Sequence, residues 1–219
     1  EKEVLKSVIH QNILIYNDLD RIDFDTNVSW HEDQKLLKVF FDVDLQTKTY
    51  TRDIAYATME CCSYRYNPYD KAKFEVNAHN WIDMSDEDYG VSLLNDCKYG
   101  HEVNEHKMIL TLLKAPIKPD PKSDRGDHYF TYSLYPHAET WKKAKTLERG
   151  LEINHPLVPV DIKSEGEMGA DKSFITLTSD SMTLEAVKKC EEEDAYIIRM
   201  VEKKGKSVDA SVKFFAPLT

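Results

Sequence analysis

Between Arg21 and Thr26 apolar and acidic residues alternate, with Ile22 and Phe24 on one side and Asp23 and Asp25 on the other. A period of two is the pattern of a strand with one buried face, and residues 27–30 continue it. The alternation returns at 38–45, where Val39, Phe41, Val43 and Leu45 face inward and Asp42 and Asp44 outward. It returns again at 129–135, where Phe130, Tyr132 and Leu134 share a face. Residues 4–16 alternate more loosely and predict one or two edge strands. Residues 54–60 and 74–76 predict shorter strands, and 64–70 a loop around Asn67-Pro68. Residues 108–114 form an apolar strand. The prolines at 116, 119 and 121 lack N–H donors and keep that stretch out of a sheet. Residues 124–128 close this proline loop. Pro136-His137 predicts the end of the strand begun at Tyr129. A helix is predicted from Trp141, Ala144, Leu147 or Glu148, and Leu151, ending at Asn154-His155-Pro156 because the residue before proline leaves the helical region.

Residues 81–100 are the centre of the pattern. An acidic, turn-rich approach (Asp83, Asp86, Glu87, Asp88) leads to Gly90 and an apolar strand at 91–94. That strand ends in a polar loop holding Asn95, Asp96, Cys97, Lys98 and Tyr99 before Gly100. Two readings stand side by side: polar groups presented at the rim of a sheet, or a connection whose Asn and Asp satisfy turn backbone. Residues 164–172 are poor in apolar side chains and predict a linker. Beyond them, 174–178, 184–189, 195–202 and 210–215 predict four short strands of a small antiparallel sheet, truncated at its end. The expected organisation is therefore a mainly β unit over 1–163, a linker over 164–172, and the start of a small β domain over 173–219.

Composition narrows the function classes. With 41% hydrophobic residues the chain can bury a core, and its net charge of −10 argues against nucleic acid or an anionic membrane as partner. The densest basic stretch, Lys142, Lys143 and Lys145, reads as a solvated helix face. No apolar run approaches the roughly 20 residues of a membrane helix. Cys61, Cys62, Cys97 and Cys190 form no C-x-x-C pair, which argues against a disulfide framework or zinc knot and for reduced thiols in the cytoplasm. The eight histidines are scattered; His101 and His106 with Glu102 and Glu105 read as hairpin surface rather than a metal site. Neither a nucleophile elbow nor a phosphate-binding glycine loop is present. The 39 carboxylates offer no distinguishable catalytic pair. Trp81, Tyr89, Tyr99 and Trp141 suit sugar stacking or, more commonly in β proteins, a core.

Several runs carry a resemblance. They are R-I-D-F-D-T-N-V-S-W-H-E at 21–32, K-F-E-V at 73–76, and Ala78-His79, Trp81, Asp83 and Ser85 followed by Y-G-V-S-L-L-N-D-C-K-Y-G at 89–100. Further on come Leu112 to Pro116, Pro119 to Pro121, Asp124 to Gly126, His128, Phe130 to Tyr132, Leu134 to His137, and Asn154, Pro156 and Leu157. Val187 to Lys189 and Ile198 to Glu202 add the last of them. In order and nearly end to end, the chain resembles the family 38 glycoside hydrolases, the zinc-dependent α-mannosidases. It departs from them at residues 64–69, at Ser29 and at Asp42.

The resemblance implies the C-terminal β region of such an enzyme: an antiparallel β supersandwich, similar to galactose-mutarotase folds, followed by part of a small β-sandwich domain. It implies hydrolysis of terminal α-mannosides with retention by the longer parent. The zinc and the catalytic residues would lie in the parent's N-terminal domain, leaving this chain without catalytic residues, without metal and inactive alone. The implied partners are the catalytic α/β domain and helical bundle of the same polypeptide and a mannose-containing substrate. A homo-oligomeric parent is compatible with this. Asn95, Asp96, Lys98 and Tyr99 are then expected to support the substrate side of the active site, or only to dock the domains. A stand-alone carbohydrate-binding or oligomerisation module is the competing reading, and an exposed apolar face would discriminate against it.

Overall fold

The computed structural model describes residues 6–161 and 171–215. It contains two units, Glu1–Ile54 with Met59–Pro156, and Ala55–Thr58 with Leu157–Thr219.

The strands of the larger unit are β1 (Val8–Ile15), β2 (Ile22–Trp30), β3 (Leu36–Asp42), β4 (Thr49–Ile54), β5 (Ala57–Cys62), β6 (Val76–Asn77), β7 (Trp81–Ser85), β8 (Tyr89–Asn95), β9 (Gly100–Asn104), β10 (Lys107–Lys114) and β11 (Gly126–Ala138). They form a seven-stranded sheet ordered β1-β2-β11-β8-β7-β4-β5 and a four-stranded sheet ordered β3-β10-β9-β6. The predicted alternation explains the packing between them. Val28, Ile82, Leu93 and Phe130 of the large sheet meet Val103, Met108, Leu110 and Leu112 of the small one in a single buried cluster. Phe24 lies 5.5 Å from Phe41 across the sheets and stacks on Tyr132 at 5.0 Å. The result is a mainly β, antiparallel sandwich.

The large sheet is covered on its other face as well. A segment around α2 (Thr146–Asn154) lies there, and Trp81, Leu94, Tyr135, Trp141 and Leu147 form a second buried cluster. Trp81 and Trp141 are 5.1 Å apart, and Tyr135 Oη donates to the Ala144 carbonyl at 2.6 Å. Gly150 permits the close approach, since a Cβ there would stand 2.9 Å from Trp81 Cδ1.

Double coverage is why several expectations from alternation change. Asp23, expected outward, is buried beside Arg21, with Nε to Oδ1 at 2.7 Å, and accepts from Ser133 Oγ at 2.5 Å and Tyr16 Oη at 2.9 Å. Burial pushes its carboxyl upward, but these hydrogen bonds and the Arg21 charge outweigh it and hold the group below the usual carboxylate range. The acidic approach at 81–85 is strand β7, not turn, with Asp83 buried. Residues 54–60 straddle the turn between β4 and β5 rather than forming one strand. Strand β11 runs through Pro136 and His137 to Ala138; β2 stops opposite Leu134, so Pro136 has β8 alone as a neighbour. His101, expected at a hairpin surface, is fully buried on β9. Inside the expected 64–70 loop α1 (Pro68–Ala72) begins, with Pro68 in its first turn and the Asn67 side chain accepting from Asp70 N. The helix predicted from Trp141 becomes regular only at Thr146 and ends as expected before Pro156.

In the smaller unit β12 (Ile175–Leu177) pairs with β15 (Val212–Phe214), and β13 (Met182–Lys189) with β14 (Tyr196–Glu202). The four strands fall close to the four segments expected from sequence, but as two two-stranded ribbons instead of one sheet. Of the linker expected at 164–172, residues 164–170 lie outside the described residues.

Candidate functional site

The loop from Asp96 to Tyr99 leaves the large sheet at the end of β8 and enters the small sheet at β9. It therefore crosses one end of the sandwich and is not a hairpin within one sheet. Asn95 organises it from the buried side. Its Oδ1 accepts from Lys98 N at 2.7 Å, which closes the turn, and its Nδ2 donates to the His79 carbonyl at 2.9 Å. Its own carbonyl accepts from Asn154 Nδ2 at 3.0 Å, which ties the last turn of α2 to the loop.

Asp96 extends the β8–β11 ladder by one step. Its N–H donates to the Thr131 carbonyl at 3.1 Å, and its Oδ2 accepts from Thr131 N at 2.9 Å. The Cys97 thiol is pushed up to about 11 by burial and by the adjoining Asp96 carboxylate, so it is a poor nucleophile. Lys98 places Nζ 4.3 Å over the ring of Phe130, a member of the buried cluster between the sheets, in a cation–π contact. Tyr99 is 58% exposed, with its ring edge-on to His79 at 5.8 Å. The four residues singled out from sequence are thus together, but in different states. Asn95 and Asp96 are committed to backbone groups, Lys98 is half-buried against the Phe130 ring, and Tyr99 is exposed.

Sequence reasoning did not find the two buried histidines that brace this region. His101 Nδ1 lies 3.2 Å from the Tyr99 carbonyl, which can only accept, so that nitrogen carries the proton. Nε2 is then free to accept from Asn95 Nδ2 at 3.4 Å. The ring is neutral: burial and the Arg52 charge lower its pKa to about 4, against the opposing pull of the Tyr99 carbonyl and Glu75. His137 is the reverse case. Nε2 faces Asp83 Oδ2 at 2.8 Å and Nδ1 faces the Glu139 carbonyl at 3.1 Å, so both nitrogens donate and the ring is charged. Burial opposes that charge, but Asp83 and the two carbonyls outweigh it and raise the pKa above the ordinary value.

Asp83, His137 and Ser92 have the composition of a hydrolytic triad without its geometry. Ser92 Oγ donates to Asp83 at 2.6 Å and meets Thr146 Oγ1 at 2.9 Å, and the whole network is buried. It is a brace under α2, not a nucleophile. Gly90 belongs to the same brace, because a Cβ there would fall 2.2 Å from His137 Cε1. Among the described residues no group of three or more His, Cys, Asp or Glu could hold a metal ion.

Residues 1–122 match the family described as Glycosyl hydrolases family 38 C-terminal domain. The chain belongs to this family. Alpha-mannosidase G of Dictyostelium discoideum is 34% identical over 201 residues, covering 90% of this chain and 18% of its own. Alpha-mannosidase 2C1 of Homo sapiens is 32% identical over 215 residues, 97% of this chain and 21% of its own. A solved alpha-mannosidase from Enterococcus faecalis V583 shares the fold with a TM-score of 0.82 at 15% identity, over 94% of this chain and 24% of its own. The chain thus spans about a fifth of the length of these α-mannosidase relatives. As a family 38 C-terminal domain, its longest signature becomes physically legible. Gly90 admits His137, Ser92 anchors Asp83, and Asn95 shapes the loop that Lys98 and Tyr99 crown. No helix among the described residues is long and apolar enough to cross a membrane.

Proposed function

We propose that this chain is the C-terminal β region of an α-mannosidase that hydrolyses terminal α-mannosides with retention, using zinc held in a separate N-terminal domain. The observation that carries this reading is the family match over residues 1–122 combined with relatives named α-mannosidases that are about five times longer. On this reading residues 1–163 are the supersandwich, 164–172 a linker and 173–219 the start of a terminal β domain. The chain contributes no nucleophile, acid or metal ligand. Its part is to complete the substrate side of a pocket built elsewhere in the polypeptide.

Within that role Asn95 and Asp96 position the loop, while the Lys98 ammonium and the Tyr99 ring contact the sugar or its leaving group. Lys98 suits this task because the Phe130 contact fixes its charge in place, with no carboxylate partner among its described contacts. The free thiols at Cys61, Cys62, Cys97 and Cys190 support a reducing compartment, the cytoplasm. The exposed apolar side chains of β1, which include Ile13 and Ile15, favour a part of a larger protein over a stand-alone module.

The test is hydrolysis of p-nitrophenyl α-mannoside, with zinc added, by the 219-residue chain and by its full-length parent. Activity confined to the parent is expected, with Lys98→Ala lowering kcat/KM there about ten- to hundredfold through loss of positioning. Zinc-dependent turnover by the 219 residues alone would overturn the assignment.

A further inference from the structure

The two sheets of the sandwich do not match in width, and the mismatch is localised. Strand β3, the edge of the four-stranded sheet, lies over β2 and β11: Phe41 meets Phe24 at 5.5 Å and Tyr132 at 6.3 Å. Strand β1 lies one step further out on the large sheet, with no strand of the small sheet among the described residues opposite it. Its core-facing side is fixed by register. Ile9, Gln11, Ile13 and Ile15 pair with Val28, Thr26, Phe24 and Ile22. Gln11 confirms the side by donating to Thr26 Oγ1 at 3.0 Å and Tyr132 Oη at 2.7 Å. The isoleucines thus point where the core would continue, yet Ile9, Ile13 and Ile15 are 49%, 60% and 76% exposed. The outer edge of β3 is likewise unpaired among the described residues, its one ladder partner being β10.

Neighbouring strands in a sheet are about 4.8 Å apart. One strand added beyond β3 would therefore fall over β1, take up β3's free N–H and C=O groups, and cover the three isoleucines together. We propose that this slot is filled by an extended segment of the parent polypeptide from outside these 219 residues, with alternating apolar side chains facing Ile9, Ile13 and Ile15. The inference rests on the reading of the chain as one part of a longer enzyme. The relatives supply the source: this chain is 18% to 21% of their length, so about four fifths of such a polypeptide remains to provide one strand. A second copy of the chain is the poorer occupant, because two partners each carrying a net charge of −10 repel.

Hydrogen exchange tests this without reading catalysis. The peptide covering residues 36–42 is followed in the 219-residue chain and in the full-length parent, with the 107–114 peptide as internal reference because β10 is an interior strand, paired on both sides. Relative to that reference, β3 amides are expected to exchange about tenfold or more slowly in the parent. Ile13→Asp in the parent should return β3 to the fast rate, and the milder Ile13→Thr serves if the aspartate prevents folding. Equal β3 exchange in both proteins overturns the proposal. So does β3 protection in the 219-residue chain that grows with concentration alongside dimer in sedimentation velocity, since the occupant is then a second copy. Loss of mannosidase activity in the parent with β3 protection intact would count against the functional reading alone.

Discussion

Lowering the pH from 7 to 5 should weaken the larger unit through one side chain, His101. The ring is fully buried and neutral, with a pKa near 4 in the fold against 6.5 as its ordinary value. Between those two values the unfolded chain binds a proton that the folded chain refuses, so stability falls as pH falls. Integrating that linkage, the fold loses about 2 kcal/mol from pH 7 to pH 5 and about 3 kcal/mol by pH 4. Protonation would also turn Nε2 into a donor facing the Asn95 amide, breaking the contact that supports the loop. His137 has the opposite sign. Its raised pKa gives stability that is fully present below its unfolded value and lost as pH rises through the folded one. A wild-type pH profile therefore mixes the two, and the clean quantity is the difference between wild type and His101→Gln, which keeps a donor and an acceptor but does not titrate. Urea unfolding followed by tryptophan fluorescence is suited to it, because Trp30, Trp81 and Trp141 all lie in the larger unit. The advantage of wild type over the variant should shrink by about 2 kcal/mol between pH 7 and 5. A difference that stays flat over that range, or a His101 NMR resonance that titrates near 6.5, would refute the reasoning.

Other perturbations test the braces around the site. Gly90→Ala drives a methyl to 2.2 Å from His137 Cε1 and 2.5 Å from Ser85 Cβ, and should destabilise by about 3 kcal/mol or fail to fold, measured by the same urea curves. Asn95→Ala removes two side-chain hydrogen bonds to backbone and should cost about 2–4 kcal/mol, with faster hydrogen exchange at Lys98. Arg21→Ala leaves the Asp23 carboxylate buried without its cation and should cost about 3–5 kcal/mol at pH 7. That penalty should shrink in acid as Asp23 takes up a proton. Lys98→Ala should leave stability within about 0.5 kcal/mol while lowering activity of the parent, a separation that distinguishes a substrate-facing group from a brace.

How much of this was legible in the chain depends on how many faces of a strand are covered. Where one face meets the core and the other meets water, alternation reads correctly, as in β3 with Val39 and Phe41 turned inward. On β2, β7, β8 and β11 the segment around α2 or a polar network covers the second face, and the pattern loses its contrast. Every residue of β8 from Gly90 to Asn95 is buried. Asp23 and Asp83 then look like solvent-facing acids in sequence while both are buried in the sheet. Nothing local in the chain reveals that Ser133, 110 residues away, or His137, 54 residues away, will meet them. The proline rule misled for a related reason: Pro136 is tolerated in β11 because β2 has already ended, a fact of topology and not of local composition.

The candidate site shows the same limit from the other side. The loop at Asn95 to Tyr99 stood out because several polar side chains follow an apolar strand, and that density has two separable causes. Asn95 and Asp96 are polar because a chain crossing from one sheet to the other leaves backbone groups that need partners. Lys98 and Tyr99 meet no such need: one rests on the Phe130 ring and the other leans on His79, and neither side chain satisfies a buried backbone group. If the loop only docks domains, Lys98→Ala should weaken domain association and activity together. If it meets substrate, the activity falls while domain association stays as it was.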